Sequence, residues 1–150
     1  MNRWISPPVA FAIAAIMMWW IGRSLEFGRF SFAYQSAAGI ALIVLGMAIV
    51  AISLWSFAKA RTTPNPMQPK NATRLVTSGI YTLSRNPMYV GDAIMLMGIA
   101  IWLGSVPSLL LVAPFVAWID RFQIPAEERA LAEIFGERYA AYGREVRRWL

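Results

Sequence analysis

Two short polar blocks stand out in an otherwise apolar chain because their residue types suit the binding of a charged ligand. The first, Gly79 to Gly91, contains Asn86, a favourable N-cap, and then Pro87, which suits the first position of a helix. The free amides of such a helix start attract carboxylates, including the carboxylate of an amino-acid-like cofactor. The structural alternative is that Asn-Pro only caps the helix, while Arg85 and Tyr89 anchor it at a membrane interface.

The second block, Ile124 to Tyr142, carries two adjacent carboxylates, Glu127 and Glu128. Pro125 predicts another helix start, and the helix dipole favours acids in a first turn, so the pair has a sufficient structural explanation. The functional alternative is a carboxylate at the mouth of a basic pocket, where it would hold an ammonium group or a ribose hydroxyl. Asp92, in the first block's helix, is either a capping residue near the interface or part of a functional pocket, since a carboxylate within a membrane is costly unless paired.

Composition excludes several kinds of chemistry. The chain has no cysteine and no histidine, so the usual zinc ligands, the Ser-His and Cys-His nucleophile pairs and the commonest general base are missing. We therefore expect no metal site. The net charge of +6 could suggest nucleic acid, but the basic residues have no nucleic-acid-binding framework and lie beside long apolar runs. We expect membrane lipids as partners of these charges, and no nucleic acid.

The apolar residues, 58% of the chain, are arranged in runs that match a lipid bilayer. These runs are Val9–Ile21, Phe32–Ala58, Met88–Leu103 and Val106–Ile119. The second run has no charge and exceeds the roughly 20 residues that cross a bilayer. A signal peptide is the alternative for the first run, but no small-residue cleavage site precedes Arg23 and further spans follow, so we expect a retained helix. Pro114 should kink the last run.

The predicted fold class is all-α: an integral membrane helical bundle of about four transmembrane helices, with a cytoplasmic C-terminal amphipathic helix. One domain would cover residues 1–150, with two transmembrane helices in 1–58, a basic loop in 59–86, a helical hairpin in 87–119 and the tail helix in 120–150. The tail prediction rests on apolar and aromatic residues at helical spacing, namely Leu131, Phe135, Tyr139, Tyr142, Val146 and Trp149. By the positive-inside rule the basic loop is cytoplasmic, and so are both termini.

From about Leu75 to Leu150 the chain resembles the isoprenylcysteine carboxyl methyltransferase family, which is related to the phospholipid methyltransferases. That family has a Gly-x-Tyr segment, an Arg-His-Pro-x-Tyr-x-Gly motif that opens a membrane helix, a helical hairpin, and a Glu-Glu pair before Phe-Gly-x-x-Tyr-x-x-Tyr. The corresponding segments here are Gly79-Ile80-Tyr81, Arg85 to Gly91, Glu127-Glu128, and Phe135 to Tyr142. The resemblance implies S-adenosylmethionine as cofactor at the cytoplasmic face, and a lipid-tailed substrate that enters between helices. We expect an integral protein of the bacterial inner membrane.

The resemblance also implies a set of site residues. Those assigned to the cofactor are Tyr81, Asn86, Pro87, Tyr89, Gly91, Glu128, Tyr139 and Tyr142. Methyl transfer from a sulfonium requires the acceptor, the methyl carbon and the sulfur to be aligned and water to be excluded. An anionic carboxyl or thiolate acceptor needs only a cation to position it, and Arg85 and Arg121 are the candidates for that role. An amine acceptor must lose a proton, and Glu127 is the candidate that would take it.

Asn86 departs from the family motif, which has histidine at this position. An amide can donate and accept hydrogen bonds, but it cannot hold a proton as imidazole does. The predicted function is S-adenosylmethionine-dependent methyl transfer to a lipophilic or small carboxyl, thiol or amine acceptor. The alternatives are a non-enzymatic membrane scaffold that keeps the fold and a small transporter, for which one charge within a span, Asp92, is weak support. The sequence leaves the acceptor and the oligomeric state open.

Overall fold

The computed structural model describes residues 6–62 and 74–150. Within these ranges the chain is helical, as predicted, and the one extended pairing is an isolated bridge between Arg29 and Ser105. The helices are α1 (Pro7–Ser24), α2 (Gln35–Lys59), α3 (Pro87–Leu103), α4 (Val106–Leu110), α5 (Val112–Trp118), α6 (Ile124–Phe135) and α7 (Glu137–Glu145), with a 3-10 turn at Gly79–Thr82 and a π turn at Ile119–Gln123. Residues 63–73 of the predicted basic loop lie outside the described residues.

The contact between α2 and α3 is the most extensive in the bundle, and it depends on two pairs of facing glycines. A Cβ atom on Gly91 would lie 2.8 Å from the carbonyl oxygen of Gly46, and one on Gly98 would lie 2.7 Å from the carbonyl oxygen of Gly39. Each helix thus carries glycines about two turns apart on its contact face. The two backbones approach so closely that no side chain fits between them, and the reversed order of the pairs makes the helices antiparallel.

At the end of the bundle distant from the two polar blocks, the turn between α3 and α4 is fixed to the loop between α1 and α2. The amide of Phe30 donates to the carbonyl of Gly104 at 2.9 Å, and the amide of Val106 donates to the carbonyl of Gly28 at 2.9 Å. Gly104 has φ +63°, and a Cβ there would lie 2.5 Å from the Phe30 carbonyl oxygen. This closed end holds the hairpin so that α3 and the second arm run back side by side.

The second arm of the hairpin is longer than the sequence predicted. It was expected to end at Ile119, but the helical path continues from Val106 to Phe135, over 30 residues. Pro114 interrupts it at Leu111, one turn earlier, because proline cannot donate to the carbonyl of residue 110. Pro125 lies in the first turn of α6, which follows the π turn directly, so the predicted helix start at this proline is confirmed.

The tail is not the single amphipathic helix expected over 120–150. Gly136, at φ +52° and ψ −126°, ends α6 and starts α7, because this backbone conformation is open mainly to glycine. The helix α7 then ends at Glu145, and Val146 is extended with φ −117° and ψ 132°. Residues 146–150, which we call the C-terminal strap, therefore leave the predicted helical face and turn back toward the start of α3.

Two described helical segments, Gln35–Lys59 and Val106–Phe135, are long and apolar enough to cross a membrane. The apolar helix α3 is shorter, with 17 residues. Large apolar side chains of α1 and α2 are exposed, among them Ile16, Trp20, Val44 and Trp55. The buried core lies on the other side of α1, where Met18 packs in one cluster with residues of α3, α5 and the π turn.

Candidate active site

The start of α3 is held by the strap instead of by a side-chain cap. Pro87 opens the helix and Asn86 occupies the N-cap position, as predicted, but the Asn86 side chain makes no capping hydrogen bond. Its Nδ2 donates to the carbonyl oxygen of Arg148 at 2.9 Å. The Ser84 hydroxyl accepts from the Asn86 amide at 3.1 Å and donates to the same Arg148 carbonyl at 3.3 Å. The side-chain amide of Asn86 therefore connects the start of α3 to the strap by a hydrogen bond.

Glu128 lies between two guanidinium groups. Nη1 of Arg85 is 3.1 Å from its Oε1, and Arg148 reaches both oxygens, with Nε to Oε1 at 3.2 Å and Nη2 to Oε2 at 2.6 Å. The side chains of Arg85 and Glu128 are only 17% and 19% exposed, so this contact is sheltered from water. The hydrogen bonds to Glu128 raise the pKa of the Arg148 guanidinium. The two predicted blocks thus meet through an ion-pair network.

Glu127 faces a different neighbourhood from Glu128. Its Oε1 accepts from the Tyr89 hydroxyl at 2.5 Å and from Nε2 of Gln123 at 2.6 Å, while its Oε2 has no partner in the described part of the chain. Because adjacent helical residues point about 100° apart, the two carboxylates cannot share one pocket equally. Glu127 therefore presents an acceptor oxygen beside Tyr89, and Glu128 holds the arginines.

Four of the five tyrosines of the chain lie buried in this region, each less than a tenth exposed: Tyr81, Tyr89, Tyr139 and Tyr142. The Tyr142 hydroxyl donates to the carbonyl of Tyr81 at 2.7 Å, and the rings of Tyr139 and Tyr142 meet edge to face with centroids 6.3 Å apart. Burial raises the pKa of the Tyr139 and Tyr142 phenols above the ordinary value. Both hydroxyls are therefore hydrogen-bond donors at any physiological pH.

Some predicted site residues lie elsewhere or have another role. Arg121 is exposed on the π turn, and it forms no ion pair with the residues that the structure describes. Gly91 packs against α2, so its missing side chain serves the approach of the two helices. Pro87 is fully buried at the start of α3. Asp92 is partly buried on α3, and no described residue forms a hydrogen bond or an ion pair with it.

Three residues of the network were missed at the sequence level: Arg148, Asp120 and Trp149. Asp120 Oδ1 accepts from Nε1 of Trp149 at 2.8 Å and lies 3.3 Å from Nη1 of Arg148. These contacts depend on the reversal of the chain after α7, which no local spacing encodes. The available signal was a carboxylate pair in a tail that is also rich in arginine.

One polar atom in the network lacks a partner. The Nε of Arg85 is buried and forms no hydrogen bond with any described residue. A buried cationic donor without an acceptor is costly, and a carboxylate ligand is the group that would satisfy it best. With the unpaired Oε2 of Glu127, the site offers both a donor and an acceptor. This donor set fits the amino-acid end of S-adenosylmethionine, which carries a carboxylate and an ammonium group.

Taken together, the described residues form a helical bundle in which two segments are long and apolar enough to cross a membrane, and a sheltered cluster of charged side chains connects the start of α3, α6 and the strap. The chain belongs to the phospholipid methyltransferase family, which matches residues 34–138. That match includes Arg85, Tyr89 and the two glutamates, and it ends just before Tyr139. The resemblance seen in the sequence is thereby confirmed.

Several curated proteins are similar to parts of the chain. Protein-S-isoprenylcysteine O-methyltransferase B of Arabidopsis thaliana is 28% identical over 72% of this chain and 55% of its own length. The corresponding Schizosaccharomyces pombe enzyme is 38% identical over 48% of this chain and 30% of its own length. An uncharacterised Haemophilus influenzae protein is 40% identical over 42% of this chain and all of its own length. The chain thus spans about half or less of the two methyltransferases.

Proposed function

We propose that the chain transfers a methyl group from S-adenosylmethionine to a lipophilic or small carboxyl, thiol or amine acceptor at the cytoplasmic membrane face. The observation that carries this proposal is the ion-pair network around Glu128, with the buried, unpartnered Nε of Arg85 at its centre. The names of the isoprenylcysteine O-methyltransferases among the similar proteins support the reaction class. A scaffold that keeps this fold would have no use for a buried guanidinium N–H without an acceptor.

Four of the predicted cofactor residues have a task in this proposal, together with Arg85, which the sequence had suggested for positioning the acceptor. Arg85 would bind the carboxylate of the cofactor through Nε. Glu128 would hold Arg85 in place, and a remaining lone pair of its carboxylate would accept a hydrogen bond from a ribose hydroxyl or from the ammonium group. Tyr139 and Tyr142 would line the cofactor with their buried rings. Tyr81 contributes its backbone carbonyl to the Tyr142 hydroxyl, so it supports the lining from behind.

The acceptor side would use Glu127. When bound, S-adenosylmethionine would supply an electrophilic methyl group, whose carbon bonds to the acceptor while its bond to the sulfonium sulfur breaks and leaves a neutral thioether. An amine acceptor has to lose one proton during this transfer, and the unpaired Oε2 of Glu127 can take it. An anionic carboxyl or thiolate acceptor needs no base. With such an acceptor, the hydrogen bonds from Tyr89 and Gln123 to Oε1 would keep the Glu127 carboxylate directed away from the acceptor. Asn86, bound to the strap, has no part in proton transfer.

We propose further that α1, α2, α3 and the second arm from Val106 as far as the π turn cross the membrane, with the site end in the cytoplasm. Lys59, Arg61 and Arg74 lie at the end of the bundle where Phe57 of α2 meets Tyr81, which agrees with the positive-inside rule. Exposed tryptophans mark both ends: Trp19, Trp20 and Trp102 at the far end, and Trp55 near the site. The amphipathic helices α6 and α7 would then lie at the cytoplasmic surface of a bacterial inner membrane, with both termini inside.

Calorimetric titration of the purified protein with S-adenosylmethionine and its demethylated product tests the proposal. We expect saturable binding, and we expect Glu128→Gln to weaken it about 10- to 100-fold, because a charge-assisted hydrogen bond is lost in a sheltered place. The matched control is Glu137→Gln, which breaks an ion pair with Arg144 whose side chains are 80% and 66% exposed. Absence of binding by the folded parent would favour the scaffold.

A further inference from the structure

We propose that Arg148 is a positioning residue of the site and that the C-terminal strap assembles it, by fixing the orientation of Glu128 against Arg85. This inference rests on the proposed function, because it says which residue sets the geometry of the cofactor contact. Neither polar block of the sequence contains Arg148. Its importance follows from the chain reversal after α7.

The backbone of the strap is anchored at the start of α3. The carbonyl of Arg147 accepts from the Arg85 amide at 2.9 Å. The next carbonyl, of Arg148, accepts from Nδ2 of Asn86 and from the hydroxyl of Ser84. These three hydrogen bonds involve only backbone atoms of the strap, so they survive a change of the Arg148 side chain. Such a change therefore leaves the strap in place and removes the guanidinium alone.

The side chains of the strap reach the other half of the site. Arg148 donates hydrogen bonds to both carboxylate oxygens of Glu128 on α6 and forms an ion pair with Asp120 on the π turn. Trp149 donates to the same Asp120 oxygen at 2.8 Å. The strap thus connects the N-terminus of α3 to the π turn and to α6, through its backbone at α3 and through its side chains at the other two elements.

The geometry of the Arg148 contact gives it an effect that a point charge would lack. Two parallel hydrogen bonds from a planar guanidinium fix the plane of the Glu128 carboxylate. With that plane fixed, Oε1 stays directed at Nη1 of Arg85, which leaves Nε of Arg85 free for a ligand. Without Arg148, Glu128 can rotate and take a second hydrogen bond from Arg85, including its Nε. The donor proposed for the cofactor carboxylate would then be occupied by the chain itself.

The test compares Arg148→Gln and Arg148→Lys with the parent, using the dissociation constant for S-adenosylhomocysteine and the thermal midpoint in one detergent and salt. We expect Arg148→Gln to weaken binding about tenfold or more, a loss of one charge-assisted contact. Lysine restores the charge but not the bidentate geometry, so Arg148→Lys should recover only part of the affinity. Arg144→Gln, which breaks the exposed pair with Glu137, should bind as the parent does.

A double substitution separates positioning from general stabilisation. If Arg148 acts through Glu128, adding Arg148→Gln to Glu128→Gln should cause little further loss of affinity. Full affinity in Arg148→Gln, or complete rescue by lysine, would overturn the inference. If the parent binds no cofactor, the proposed function fails, and the contact between Arg148 and Glu128 is then tested by thermal midpoints alone. Additive effects of the two substitutions on the midpoint would refute the positioning contact, and non-additive effects would support it.

Discussion

At the scale of single residues, the same side chain can hold a predicted position and do a different job. Asn86 lies at the helix start as the sequence indicates, yet its amide binds the strap and not the first turn of α3. The replacement of a family histidine by asparagine is understandable here, since the contact needs a donor for the Arg148 carbonyl and no proton transfer. The two adjacent glutamates likewise divide their roles, one facing arginines and the other facing Tyr89.

The donor role of Asn86 can be tested with an isosteric change. Asn86→Asp replaces the NH₂ group by an oxygen that faces the Arg148 carbonyl, so two acceptors would be brought together. We expect a lower thermal midpoint and weaker cofactor binding than in the parent, and a smaller loss in Asn86→His, whose ring N–H can still donate. Equal midpoints for all three proteins would mean that the amide contact contributes nothing.

At the scale of elements, the structure depends on the close approach of α2 and α3 and on two irregular turns. Local signals predicted the start of α3, because proline at the first helical position is readable without knowing the fold. The break at Gly136 was hidden by apolar spacing that continues across it. The packing of Gly91 against Gly46 was not predicted because the two residues lie in different helices, although matched glycine spacing in both helices indicates such a contact.

The glycine contact predicts a large effect from a small substitution. Gly46→Ala would place a methyl group 2.5 Å from the carbonyl oxygen of Gly91 and equally close to Met95, so α2 and α3 must separate. We expect a loss of about 1–3 kcal/mol in the free energy of unfolding, with weaker cofactor binding because α3 carries the site. Ala41→Val, which enlarges an exposed residue of the same helix, is the control. A midpoint for Gly46→Ala like that of the control would contradict the close approach.

At the scale of the whole molecule, the charged residues and the apolar helical segments occupy different positions along the axis of the bundle. The site, its ion pairs and most charges lie at one end, while the opposite end is closed by backbone hydrogen bonds around Gly104. The sequence predicted this division because it depends on the order of apolar runs and basic loops. It could not predict the strap, since ion pairs between residues distant in the chain depend on the path of the folded backbone.

The proposed orientation leads to a direct measurement. Reporter fusions at the two ends of the chain should both report the cytoplasm, because the proposed number of crossings is even and the segment with Lys59, Arg61 and Arg74 is basic. Fusions in the loop after α1, near Glu26, serve as the opposite control and should report the periplasm. A periplasmic signal from the C-terminal fusion would separate the site from the cytoplasmic pool of S-adenosylmethionine.

Near the π turn at Ile119–Gln123, the number of residues determines the direction in which α6 presents its side chains. The π turn holds one residue more than an α-helical turn, and each residue of a helix turns the next by about 100°. Loss of that extra residue would return the segment to an α-helical turn and keep the direction of α6. Loss of a residue between the π turn and Glu127 would instead rotate the rest of α6 by about 100°, and Glu128 would point where Glu127 now points. A deletion there is therefore equivalent to exchanging an arginine-holding carboxylate for a proton acceptor. A change in length, not in residue type, is enough to redirect the chemistry of this site.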